Sequence, residues 1–263
     1  MIDFSISIEM AFAEGGRSLD DRVRAAADAG FPAVEIWDWR EKPLRELKRA
    51  LLETGISLHT LCVEDWRDKC QLGDPASHAE FLSRVAEAAE VASELGAKRL
   101  VVLAGDIGTN SDLAAQRAAA AEVLGRAADA VAGQGIELLL EVVNRAFEGP
   151  NALVADSESA IALLRAASRP NLKFLYDRYH AILNAEPLGW AIEANMDLIG
   201  HIQVADVPGR HEFGTGTVDW AAELRWLAEH RYDGLVGIEG TPLGDSRALY
   251  AGARAVLAAA SAA

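Results

Sequence analysis

Little in this chain would tie it to an oxidising compartment, a membrane or a nucleic acid. Its 263 residues include only two cysteines, Cys62 and Cys70, with no CxxC spacing. Two reduced thiols in a cytoplasmic protein are therefore favoured over a disulfide. No apolar run approaches the length of a transmembrane helix, and the opening MIDFSISIEM lacks both the basic stretch and the long apolar stretch of a signal peptide. Basic side chains are outnumbered, 25 Lys and Arg against 40 Asp and Glu, for a net charge of −15. Such a surface repels phosphate backbones and anionic membranes, so neither nucleic acid nor membrane is expected as a partner. No GxGxxG follows the first strand-like run, which removes the main reason to expect a Rossmann sheet or a nucleotide cofactor. A linker rich in Pro, Gly or Ser is also missing, as is any charge block, and one domain over residues 1–263 is expected.

What is present is regular alternation. Apolar residues make up 51% of the chain, enough for a sizeable core. Strand-like runs occur at Phe4–Ile8, Ala33–Ile36, Ser57–Cys62, Arg99–Leu103, Ile136–Val142, Leu172–Tyr176, Ile199–Val204 and Leu235–Ile238. Between them, apolar residues recur at spacings of three and four over Leu19–Ala29, Leu44–Glu53, Ala79–Leu95, Leu113–Ala132, Ser159–Ala167 and Trp220–Glu229. Ser18, three residues ahead of Asp21, reads as a capping box, and Asp156 as a second helix start. Gly30, Gly55, Gly96 and Gly135 read as helix ends, and the Ala-rich Ala248–Ala263 as a closing helix. Eight strands alternating with seven or eight helices predict an α/β fold of right-handed βαβ units, and eight units favour closure into a TIM (β/α)8 barrel.

Four of the later runs stay apolar until a side chain that can hold a hard cation: Glu141, Asp177, Gln203 and Glu239. A strand that is polar only at its tip is buried along its length, and TIM barrels keep their chemistry at the carboxyl ends of the strands. Three carboxylates brought together repel unless a cation sits among them or some are protonated. Oxygen donors of this kind suit Mg²⁺ or Mn²⁺, with Co²⁺ as a further candidate. His180, three residues past Asp177, is a candidate substrate contact, as are Arg210 and His211 in the loop ADVPGRHEFGTGT, where Arg210 can grip a carboxylate or hydroxyls at two points. Asn144 can orient Glu141 or serve a turn, and His59, inside the third run, can line the barrel interior as a contact or as a packed, hydrogen-bonded histidine. A metal that binds the carbonyl and hydroxyl oxygens of an α-hydroxycarbonyl compound acidifies the C–H between them. Glu141 and Glu239 are then the natural acid–base pair, working through an enediolate.

The segment GHIQVADVPGRHEFGTG resembles the signature of the hydroxypyruvate isomerase family, LYDRYH resembles its LYDIYH segment, and YDGLVGIE its closing strand. FSISIEM and GFPAVEIW extend the resemblance over nearly the whole chain, within the wider group of sugar isomerase and epimerase barrels. The resemblance implies a divalent metal on Glu141, Asp177, Gln203 and Glu239, acid–base work by Glu141 and Glu239, and His180 and Arg210 near a small keto-acid or sugar substrate of carbohydrate metabolism. It also implies that pairing or tetramer formation, as homo-oligomers, is common among relatives. Tagatose and psicose 3-epimerases carry histidine where Gln203 stands, so the glutamine points to the hydroxypyruvate isomerase branch. Four stretches depart from that branch. DWRDKCQLGD stands in place of a WAAGERG-like segment, Thr241 in place of a lysine, and Thr217 where the signature ends in glutamate; Trp37 and Trp39 also replace a more open stretch. The alternatives to an aldose–ketose type isomerase are a ketose 3-epimerase, a keto-sugar lyase or dehydratase, a nuclease of the endonuclease IV type, and a non-catalytic sugar-binding barrel.

Overall fold

The eight strands hydrogen-bond to one another in chain order as a closed parallel barrel. This is a computed structural model that describes residues 2–109 and 112–262. Met1 and Ala263, the ends of the expected domain and of the Ala-rich tail, lie outside the described residues. The order is β1 (Asp3–Ser7), α1 (Leu19–Ala29), β2 (Ala33–Asp38), α2 (Leu44–Thr54), β3 (Ser57–Cys62), α3 (His78–Leu95), β4 (Arg99–Val102), α4 (Leu113–Val131), β5 (Glu137–Glu141), α5 (Ser157–Ala167), β6 (Leu172–Asp177), α6 (Arg178–Leu183), β7 (Ile199–Val204), α7 (Trp220–Glu229), β8 (Leu235–Ile238) and α8 (Leu249–Ala262). The fold is the expected TIM barrel, with element ends shifted by one or two residues.

Local chemistry explains most boundaries. Gly30, Gly55, Gly96 and Gly135 all end helical turns with φ between 65° and 103°, a conformation that costs glycine nothing. Asp156 caps α5 by accepting from the Ser159 N–H at 2.8 Å. The capping box at Ser18 does not form. The Ser18 hydroxyl instead donates to Asp20 at 2.7 Å and to Asp21 at 2.9 Å, because two carboxylates just inside the helix are stronger acceptors than the role the box would give the hydroxyl. Helix α6 was not expected, since six residues are too few to show a 3.6-residue period. It starts because the Asp177 carboxylate accepts from the Tyr179 N–H at 2.8 Å.

The chain falls into two compact units. One comprises the residues up to Ile36, Arg40–His59 and everything from Ile202. In it β1 pairs with β2 (Ser5 opposite Ala33, Ser7 opposite Glu35) and with β8 (Ile6 opposite Ile238), and β8 pairs with β7 (Gln203 opposite Gly237). Helix α1 packs on α2, and α7 on α8. The other unit comprises Trp37–Trp39 and Thr60–His201. Its strands place Cys62 opposite Val101 and Val101 opposite Leu139; Val101, Leu139 and Leu175 form a buried cluster, with the partly buried Cys62 packed against it. Neither cysteine is in a disulfide, as expected, and burial pushes the Cys70 thiol up to about 12, helped by the neighbouring Glu64 carboxylate.

Candidate functional site

In the second unit the ends of β5 and β6 bring Glu141, Asp177 and His180 together. Each offers a ligand atom, and these atoms all lie within 4.8 Å of one another. His180 Nε2 is 3.3 Å from Asp177 Oδ2 and 3.7 Å from Glu141 Oε1. The other face of the ring is fixed by Asn144, whose backbone N–H donates to His180 Nδ1 at 3.2 Å and whose side-chain Nδ2 lies 2.9 Å from the same atom. A backbone N–H can only donate, so Nδ1 is an acceptor and the neutral ring carries its proton on Nε2, toward the carboxylates. Asn144, expected to orient Glu141, has its side chain on His180 and, at 3.1 Å, on Glu148. The half-buried Glu141 and buried Asp177 carboxylates share this corner with the His180 N–H. A cation there would relieve their repulsion, and their hard oxygens suit a divalent one.

In the first unit Gln203 lies near the end of β7 and Glu239 directly follows β8. The Glu239 N–H donates to Val204 O at 3.0 Å, which carries the ladder one step past the strand. Arg210 holds Glu239 at two points, through Nη2 to Oε2 at 2.7 Å and through Nε to the main-chain oxygen at 3.1 Å. Gln203 donates from Nε2 to Glu35 Oε2 at 2.8 Å, and Ser5 Oγ donates to Glu35 Oε1 at 2.5 Å. Two buried atoms nearby in the chain's pairing scheme have no hydrogen-bond partner, Gln203 Oε1 and Ser7 Oγ. A buried amide oxygen left unpaired costs about 1–3 kcal/mol, so a donor set that leaves one open fits a ligand that completes it.

The loop that carries Arg210 is folded around one anion. The Asp206 carboxylate, fully buried, accepts from Val207 N (2.9 Å) and Val218 N (3.2 Å) through Oδ1, and from Gly214 N (2.8 Å) and Gly216 N (2.9 Å) through Oδ2. Arg210 itself sits at φ 59°, and its carbonyl accepts from Thr241 N at 2.9 Å. His211 is turned away toward the Thr241 carbonyl, 2.6 Å from its Nδ1. Glu212 accepts from Leu243 N and Gly244 N; burial alone would raise its carboxyl, and those N–H groups outweigh burial and hold it below the usual value. His59 lies half-buried at mid-β3.

Of the residues expected from the sequence, Glu141, Asp177 and His180 are brought together in one unit, and Gln203, Glu239 and Arg210 lie at adjoining strand ends of the other. Sequence reasoning missed Ser5, Ser7, Glu35 and Asp206. A signal existed for three of them. Ser5 and Ser7 alternate with isoleucines in FSISI, and Glu35 interrupts an otherwise apolar strand, which marks polar groups pointing into a packed interior.

A parallel barrel with carboxylates, an amide and a histidine at strand carboxyl ends is an enzyme-type TIM barrel. The chain belongs to the xylose isomerase-like TIM barrel family, whose match covers residues 23–259. A Streptomyces coelicolor protein provisionally named hydroxypyruvate isomerase is 36% identical, over 96% of this chain and 97% of its own length. The 2-oxo-tetronate isomerase of Cupriavidus necator is 30% identical over 91% of this chain and 92% of its own. Among solved structures, a Brucella melitensis protein described as a family 2 AP endonuclease superposes with a TM-score of 0.87 at 27% identity, over 95% of this chain and 97% of that one. Among the described residues no helix is long and apolar enough to cross a membrane.

Proposed function

We propose that this protein is a divalent-metal-dependent isomerase that interconverts an α-hydroxyaldehyde and an α-hydroxyketone on a small keto-acid or sugar. The observation that carries the reading is the convergence of Glu141 and Asp177 at adjoining strand ends, with His180 Nε2 3.7 and 3.3 Å from their oxygens. In this reading Glu141, Asp177, Gln203 and Glu239 hold Mg²⁺ or Mn²⁺, and the open Gln203 Oε1 supports the assignment. Bound there, the cation polarises the substrate carbonyl and acidifies the adjacent C–H. One of Glu141 and Glu239 removes that proton and the other returns a proton to the neighbouring carbon, while the hydroxyl proton moves between the two oxygens. The His180 N–H is the donor for a substrate oxygen as charge develops on it, and Arg210 holds the Glu239 carboxylate in place. The isomerase names of the relatives support the reaction class. The net charge of −15 counts against a nuclease, whatever the description of the Brucella structure.

The test is a screen of hydroxypyruvate, tartronate semialdehyde, 2-oxo-tetronates and free ketoses with Mg²⁺, Mn²⁺ and Co²⁺, followed by NMR in D₂O. Deuterium should enter at the carbons of the aldehyde–ketone pair; entry at C3 of a ketose would make the protein an epimerase, and loss of a leaving group a lyase. Glu141→Gln and Glu239→Gln should each abolish exchange, and near-full activity in either would end the two-glutamate mechanism.

A further inference from the structure

Glu35 is a carboxylate in the middle of a buried strand, 2% exposed, in a place where an apolar residue would cost less. It receives the Ser5 hydroxyl at 2.5 Å and the Gln203 amide nitrogen at 2.8 Å. The second bond links residues 168 apart in sequence. Strands β2 and β7 are not neighbours, since β8 and β1 stand between them, so this bond runs through the barrel interior and not along a ladder. The NH₂ end of the amide is the end that faces Glu35, and the oxygen end faces away. That oxygen, Gln203 Oε1, is buried and has no hydrogen-bond partner.

We infer that Glu35 is a positioning residue that sets the Gln203 amide so that Oε1 and not the NH₂ group faces the divalent cation; this rests on the metal reading proposed above. A glutamine is an ambiguous ligand. Turned by half a revolution about its last bond it presents two N–H groups, which a cation repels. A fixed acceptor behind the amide removes the ambiguity, as outer partners do for metal-binding side chains generally. The burial of Glu35 then has a function that packing does not explain.

The experiment measures Mn²⁺ binding to the full chain by the electron paramagnetic resonance of free Mn²⁺, with no substrate and no turnover. Glu35→Leu, which removes the acceptor, should weaken Mn²⁺ binding about 10- to 100-fold. Glu35→Gln keeps an oxygen that can accept from Gln203 Nε2 and an NH₂ that Ser5 Oγ can accept, so its affinity should stay close to that of the unaltered protein. On a Gln203→Ala background, Glu35→Leu should weaken binding no further. If Glu35→Leu does not fold, as judged by circular dichroism, Glu35→Ala carries the same expectation. Unchanged affinity in Glu35→Leu overturns the inference and leaves the metal site standing. Equal losses in Glu35→Leu and Glu35→Gln would mean that Glu35 acts through its charge and not by turning the amide, and an undiminished loss on the Gln203→Ala background would mean that it does not act through Gln203; both overturn it. If the unaltered protein binds no Mn²⁺, the metal reading falls and the inference with it.

Discussion

Arg210 grips Glu239 at two atoms of the same residue, the carboxylate through Nη2 and the main-chain oxygen through Nε. One bond sets charge and the other sets position, because the main-chain oxygen cannot rotate away. Removing the guanidinium would take away both holds on a buried carboxylate that the proposed mechanism uses. Arg210→Ala should therefore lower kcat/KM about 100-fold or more. Arg210→Lys restores charge without the two-point geometry and should fall between the two in steady-state kinetics.

On the metal reading proposed above, removing the cation should be visible without substrate. A ligand at about 100 times its dissociation constant stabilises the folded state by about 3 kcal/mol, which for a chain of this size raises the melting temperature by roughly 5–10 °C. Calorimetry with EDTA and then with excess Mg²⁺ or Mn²⁺ should show that difference, and Asp177→Asn should abolish it.

Asp206 satisfies four backbone N–H groups of the loop that carries Arg210. Asp206→Ala would leave all four without this acceptor and should cost about 3 kcal/mol or more in urea unfolding. Asp206→Asn, which keeps one oxygen as an acceptor, should cost less.

Asp20 contributes to the acid limb of stability. The Ser18 hydroxyl, and after it the Arg24 guanidinium, hold the Asp20 carboxyl down to about 2. A carboxyl depressed in the folded state stabilises it above the ordinary aspartate range, and the contribution disappears as pH falls from about 4 toward 2. Asp20→Asn should be less stable than the unaltered protein by up to about 1 kcal/mol at pH 6, as expected for a partly exposed pair, and the two should converge near pH 2 in urea titrations.

The barrel was legible because its signal is periodic and repeated: eight apolar runs, helices between them, and glycines at the left-handed helix ends. Glu141, Asp177, Gln203 and Glu239 were legible for a related reason, since a polar residue at the tip of an apolar run stands out. Glu35 did not, although it stands inside such a run, because a lone buried carboxylate acquires meaning only from a partner 168 residues away. Asn144 was legible in part. Its place three residues past Glu141 suggested either Glu141 or a turn; the turn is present, with the Phe147 N–H donating to its Oδ1 at 2.9 Å, and its Nδ2 meets His180, 36 residues on. Local pattern shows which groups are polar and buried, and only the closed sheet shows which of them meet.

The fold of the Asp206 loop bears on how the protein can be altered. A side chain at Gly216 would place its first carbon 2.2 Å from the Val207 carbonyl, and one at Gly240 would lie 2.5 Å from the Arg210 carbonyl. A library that randomises these positions would mostly sample broken loops. A search for new substrates should hold 206–216 and Gly240 constant and spend its diversity at Trp37 and Trp66, large side chains left partly open to solvent.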